Sequence, residues 1–254
     1  MIKNLAAVTL LAACAQAASA APTTVTIGTL TTYFGENTNA DGKVSGDPVT
    51  ARTAFTGAVT SGSTTVETFE TAASGPVTSL PVFSGGATLT PDGDAYASIQ
   101  DTPGAPFGRF NTTDGGAKYY EGTEDFTVCF GSSSFSAFGF YGTDFGDFGA
   151  SVSLQLLQGT ACGTDAGDPL DIIFSGGGTQ NSSLLFFGFT DTAVNYTGAR
   201  FLVTQSDPLN PDGLGFDDLI IGTAKPPNPA PEPGTLALVG ASLLGLVAAR
   251  RRRR

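Results

Sequence analysis

Acid–base or nucleophilic chemistry in this chain must come from carboxylates, tyrosines, lysines or cysteines, because its 254 residues include no histidine. That excludes a Ser-His-Asp triad, a Cys-His pair and any His-ligated zinc site. The best-placed carboxylates are Glu70, Asp217 and Asp218. Glu70 ends a predicted strand before a Gly/Pro turn, and Asp217 and Asp218 follow a Gly-rich loop. From such places carboxylates and main-chain carbonyls together can offer a calcium ion its roughly six to eight oxygens, provided the two strand ends lie side by side. Alternate residues of a strand point to opposite faces, so only one of Asp217 and Asp218 is expected to be a direct ligand. Asp92-Gly93-Asp94 and the pair Asp144 and Asp147 are weaker candidates, since Asp and Gly at turns need no ion to explain them. Two carboxylates could also cleave glycosidic bonds without histidine. Nothing in the sequence singles out such a pair, and the chain is read as non-enzymatic.

Cys129 and Cys162 are the pair available to the body of the chain. In an oxidising compartment they are expected to form a disulfide; in a reducing one they would be two buried thiols. Charge is lopsided. Setting aside Lys3, Glu232 and the five terminal arginines leaves six basic and 22 acidic residues, a body near −16. Such a surface repels nucleic acid and anionic lipid and suits either calcium or a solvated existence outside the cell.

Both ends of the chain carry addresses. Lys3 precedes an apolar run, Leu5 to Ala13, and Ala18-Ser19-Ala20 supplies small residues where signal peptidase cuts, so residues 1–20 read as a signal peptide cleaved after Ala20. Leu11-Ala12-Ala13-Cys14 competes as a lipoprotein signal in which Cys14 would be lipidated. At the other end come Pro231-Glu232-Pro233, an uncharged apolar run from Gly234 to Ala249, and Arg250 to Arg254. Those sixteen apolar residues would form a helix of roughly 24 Å, long enough to cross the membrane once arginine side chains snorkel. The arginines hold the C-terminus in the cytoplasm and leave the preceding chain outside.

This order of Pro-Glu-Pro, Leu/Gly/Ala-rich helix and terminal arginines over residues 231–254 resembles the PEP-CTERM sorting signal of Gram-negative bacteria. The resemblance implies that an exosortase, a membrane cysteine transpeptidase, acts on the chain near Pro-Glu-Pro. It would then pass the chain to the cell surface or the exopolysaccharide matrix.

The body must position everything else. Asp47 as the N-cap and Pro48 at the first helical position predict the start of a short helix carrying Ala51, Ala54, Phe55, Ala58 and Val59 at helical spacing, up to Gly62. Val25 to Leu30 alternates as a strand, and a Gly/Asn/Asp-rich loop is expected from there to Gly46. Ten further short strands are predicted: 65–69, 86–90, 95–99, 126–130, 136–141, 151–157, 171–174, 184–189, 199–204 and 218–221. Short strands at that spacing predict a mainly β fold, a two-sheet sandwich of jelly-roll type with one short helix. The organisation is then a signal peptide (1–20), an N-terminal strand, loop and helix (21–62), a sandwich (63–223), a Pro-rich linker (224–230) and the tail (231–254).

Ala51 to Phe55, Val66 to Glu70, Ala137 to Gly149, Leu185 to Phe189 and Gly215 to Leu219 resemble a β-sandwich family that recurs among PEP-CTERM proteins. More distantly, Phe69-Glu70 and Phe216-Asp217-Asp218 resemble jelly-roll carbohydrate-binding modules, whose first and last strands hold a structural calcium. A sugar platform would need exposed aromatics. Trp is absent, and Tyr119, Tyr120 and Tyr141 are the candidates. The expected role is an exported structural or adhesive protein of the surface or exopolysaccharide matrix; the alternatives are a carbohydrate-binding module or a glycan-active enzyme.

Overall fold

The computed structural model describes residues 21–226 apart from 94–95, 102–105, 146–150, 173, 175–180, 206 and 208–210. The signal peptide with Cys14, the weak candidates Asp94 and Asp147, and the tail with Pro231, Glu232 and Pro233 lie outside the described residues. Two compact units divide the chain, Met1–Ala224 and Lys225–Arg254, and only Lys225 and Pro226 of the second are described. Among the described residues no helix is long and apolar enough to cross a membrane.

Strands β1 (Thr23–Ile27) and β2 (Leu30–Asn37) form a hairpin, followed by helix α1 (Asp47–Gly57) and β3 (Thr65–Glu67). Then come β4 (Gly75–Pro76), β5 (Leu80–Val82), β6 (Ala87–Pro91), β7 (Ala97–Asp101), β8 (Lys118–Gly122) and β9 (Phe126–Cys129). The chain continues through β10 (Ala137–Thr143), β11 (Ser151–Gln158), β12 (Thr164–Asp165), β13 (Leu170–Ile172), β14 (Leu184–Asp191), β15 (Gly198–Thr204) and β16 (Leu214–Gly222). One sheet of nine strands runs β1-β2-β14-β10-β16-β8-β7-β4 with β3 also on β16; the other, of seven, runs β12-β11-β15-β9-β6-β5 with β13 on β11.

Phenylalanines from the two sheets fill the space between them. Phe126 and Phe201 stack in the smaller sheet with ring centroids 4.2 Å apart, and Phe216 of the larger sheet meets Phe126 edge-on at 4.8 Å. The larger sheet is covered on its outer face too. There Phe55, Ala51 and Val59, from α1 and just beyond it, pack with Tyr33, Tyr141, Phe186 and Ile220 in a second core. This explains why β10 and β14 are apolar almost without alternation: both faces are buried. The helix comes that close because Gly188 has no side chain; a Cβ there would lie 2.9 Å from the Phe55 ring.

The sequence expectation of two sheets and one short helix holds, with local differences. Gly28, at φ 64°, makes the hairpin turn inside the predicted strand 25–30, and β2 occupies the predicted loop. Thr31, Thr32, Tyr33 and Phe34 are good strand formers, and β14 pairs them along their whole length. Asp47 does not cap α1. Gly46 stands at the N-cap without a side-chain hydrogen bond, and Asp47 is the first helical residue. Strand β8 was not predicted at all.

Cys129 and Cys162 are joined by a disulfide, with Cα atoms 5.8 Å apart. Their separation of 33 residues gives the bond a chain-entropy contribution of about 3 to 4 kcal/mol. Replacing both by serine is expected to remove that much in a denaturant titration; a midpoint unchanged from the wild type would contradict it.

Candidate functional site

Strand β16 changes partners in its middle. On one edge β8 pairs with Leu214 to Phe216 and β3 with Leu219 to Ile221, so Asp217 and Asp218 fall in the gap between them. On the other edge the register against β10 shifts between Gly139 and Tyr141, and Asp218 has φ 47°. This bulge breaks the alternation that was expected to separate the two carboxylates. Both reach the segment Asn111 to Thr113. Asp217 Oδ2 accepts from Thr112 N at 2.7 Å, Thr112 Oγ1 at 3.0 Å, Thr113 N at 3.3 Å and Asn111 Nδ2 at 3.2 Å. Asp218 accepts from Thr113 Oγ1 at 2.7 Å and from Arg52 Nη1 at 2.8 Å.

Glu70 closes the same cluster from the turn after β3. Its Oε1 accepts from the main-chain N–H groups of Ala117 and Lys118, both at 2.9 Å, and from Asn111 Nδ2 at 2.9 Å. The approach depends on Gly116, where a Cβ would run into the Glu70 carboxylate. Nδ2 of Asn111 also donates to the Lys118 carbonyl at 2.6 Å. One amide nitrogen with two hydrogens therefore faces three oxygens, on Glu70, Lys118 and Asp217. Amide oxygen and nitrogen have nearly the same shape, so a turned-over Asn111 would bring a fourth oxygen to the group. That donor set, two carboxylates with an amide and a main-chain carbonyl, suits a hard divalent cation. Among the described residues no three His, Cys, Asp or Glu side chains converge as metal ligands, so such an ion would rely on neutral oxygens for the rest of its shell. Burial, and second the negative charge of Asp218, push the Asp217 carboxyl up to about 8.

Beside this cluster opens a cleft of about 880 Å³ walled by Val49, Arg52, Val66, Thr113, Asp114 and Tyr141. The Arg52 guanidinium lies 5.0 Å from the centre of the Tyr141 ring. Tyr119, Tyr120 and Tyr141 are 2%, 1% and 1% exposed, which corrects their expected place on a sugar-binding surface. Tyr120 points into the core between the sheets against Phe69, Phe126 and Phe216, Tyr141 lies under α1, and Tyr119 lies beside Arg109. The exposed large aromatics among the described residues are instead Tyr96 and Phe107.

A second charged cluster surrounds Arg109. Its Nε lies 3.1 Å from Glu121, and its Nη1 lies 3.0 Å from Asp144 and 3.1 Å from Asp212. Burial pushes the Glu121 carboxyl up, and Arg109 pulls it back only in part. Asp144 is thus engaged by arginine, and Asp92 faces Arg200 at 3.8 Å. Sequence reasoning missed Asn111, Thr112, Arg52 and Arg109; the run from Asn111 to Gly116 signals only a turn.

Beyond the described residues, 229–253 match the PEP-CTERM protein-sorting motif. The tail is an exosortase sorting signal. PEP-CTERM marks an exported, surface-directed protein, and an exosortase is its processing enzyme. No curated protein matches the chain. Among solved structures the chain is similar to the K2 cleaved adhesin domain of Lys-gingipain (Kgp), at 14% identity. That likeness covers 62% of this chain and 97% of the adhesin domain, with a TM-score of 0.39.

Proposed function

We propose that this chain is a non-enzymatic structural or adhesive protein. Its jelly-roll-like sandwich would be exported by a signal peptide cut after Ala20, held in the membrane by residues 234–249, and passed by exosortase to the cell surface or exopolysaccharide matrix. The PEP-CTERM motif at 229–253 is the observation that carries this reading. The engagement of the converging carboxylates supports a non-catalytic role: Glu70 and Asp217 hold main-chain N–H groups, and Glu121, Asp144 and Asp212 hold Arg109. In the same reading Glu70, Asn111, Asp217 and the Lys118 carbonyl hold a structural calcium ion, whose charge offsets the two carboxylates. Asp218, paired with Arg52 and Thr113, steadies the bulge beside it.

Replacing Pro231, Glu232 and Pro233 together by alanine tests the sorting step in cells. The altered chain is expected to stay with the membrane fraction while the wild type reaches the surface or the medium. Equal release of both would overturn the reading.

A further inference from the structure

The edges of the two sheets are not closed alike. At the far end of the larger sheet β4 is two residues with Pro76, and β3 ends in Glu67. In the smaller sheet β5 contains Pro81, β12 ends in Asp165 and β13 contains Asp171. Proline, charge and extreme shortness are the usual guards against strand-to-strand association. Strand β1 has none of them. It is five residues, Thr-Thr-Val-Thr-Ile, every one exposed, and among the described strands it pairs with β2 alone. Every second residue of β1 therefore turns its N–H and C=O away from β2, toward solvent.

One face of this edge is also apolar. Thr23, Val25 and Ile27 pair with Phe34, Thr32 and Leu30, and Phe34 and Leu30 pack on the inter-sheet core. Cross-strand partners share a face, so Val25 and Ile27 continue the core-facing side of the sheet beyond the residues that cover it. They are 45% and 68% exposed.

We propose that β1 is a homotypic docking edge, pairing antiparallel with β1 of a second copy of this chain. Its composition argues for that occupant. In a body near −16, the edge presents five uncharged residues, which select a neutral, half-apolar strand, and β1 is such a strand. A two-fold axis at Val25 sets Val25 opposite Val25, Thr23 opposite Ile27 and Thr24 opposite Thr26, so no charge meets a like charge. The chain's own N-terminus cannot cover the edge once residues 1–20 are removed, because Ala21 and Pro22 reach only about 7 Å; this step rests on the export reading. A single five-residue pair is small beside the roughly 1,000 Å² that a stable interface buries. The contact is therefore weak between free molecules and takes hold where copies are crowded on a surface.

Sedimentation of the processed, exported protein from about 10 μM to 1 mM tests this. The average mass is expected to climb toward twice the monomer, and Thr26→Pro or Ile27→Lys to weaken association at least about tenfold. Val25→Cys reads the geometry without breaking the strand: cross-strand Cβ atoms of about 4.5–5.5 Å let two such cysteines oxidise to a dimer. That dimer is expected to form much faster than one from Thr64→Cys, placed on exposed chain elsewhere. A wild type that stays monomeric at 1 mM assigns the edge to another partner or to none and overturns the proposal. Variants that associate like the wild type, or Val25→Cys dimers no faster than the control, overturn it as well. Intact mass on the same sample reports whether residues 1–20 are gone, so a failure of export processing is read separately.

Discussion

Arg109→Met is expected to destabilise the protein by about 3 to 5 kcal/mol at neutral pH, the cost of stranding buried charges once their partner is removed. Arg109 is 12% exposed and faces Glu121, Asp144 and Asp212, themselves 10%, 0% and 15% exposed, so its removal leaves three carboxylates in one small volume. The deficit is expected to shrink in acid. Glu121 has a folded value already raised above its ordinary 4.5 by burial, and losing the arginine raises it further. A carboxyl raised in the folded state favours folding below its unfolded value and loses that contribution as pH rises through the folded one. Denaturant titrations of wild type and variant at pH 5 and pH 8 would check this. A variant within about 1 kcal/mol of wild type at pH 8 would show that the network contributes little.

Calcium is expected to raise the melting temperature and chelator to lower it. Binding to the folded state alone is worth about 2.7 kcal/mol at a hundredfold excess over Kd, or roughly 5 to 10 °C for a chain of this size. Glu70→Gln keeps an acceptor for the N–H groups of Ala117 and Lys118 but removes a charge, so it is expected to abolish the calcium response while leaving the fold intact. Asp217 adds a dependence on pH. Its folded value of about 8 lies far above its ordinary 3.8. Without calcium its contribution is present below about pH 4 and lost as pH rises through about 8. A cation beside the carboxylate favours the ionised form and removes that loss. Melting at pH 9 is therefore expected to fall well below that at pH 6 in chelator and to recover in calcium. Indifference to calcium at both pH values would leave Asn111 and the main-chain donors as the whole of the site.

What could be read ahead of the structure was mostly what short segments decide. Phe126 to Cys129, Ala137 to Tyr141 and Leu184 to Phe189 are apolar runs bounded by turns, and each became a strand. Strand β8, Lys-Tyr-Tyr-Glu-Gly, lies among glycines and acidic residues; its neighbours β7 and β16, not its own pattern, make it a strand. The tyrosines failed for a related reason. Composition marks Tyr119, Tyr120 and Tyr141 as aromatic, but only tertiary packing reveals that both faces of their sheet are covered, Tyr120 by the facing sheet and Tyr141 by α1.

The site divides the same way. Glu70, Asp217 and Asp218 were legible as carboxylates at strand ends; the structure brings Glu70 and Asp217 together around Asn111 and turns Asp218 aside to Thr113 and Arg52. The bulge that turns both aspartates toward Thr113 follows from a register shift against β10, and nothing in Gly215-Phe216-Asp217-Asp218 announces it. Asn111 and Arg52 come from segments more than a hundred residues away from Asp217 and Asp218 in sequence. Arg52 arrives with α1 on the outer face of the larger sheet, and Asn111 is tied through the Lys118 carbonyl to the start of β8, which pairs with β16.

The sorting of this chain is tested most directly by the intact mass of the protein in the surface or extracellular fraction. One mature species is expected that begins at Ala21, lacks most of the residues after Pro233 and carries the Cys129–Cys162 bond. A fraction containing only chain with the complete tail through Arg254 would contradict it.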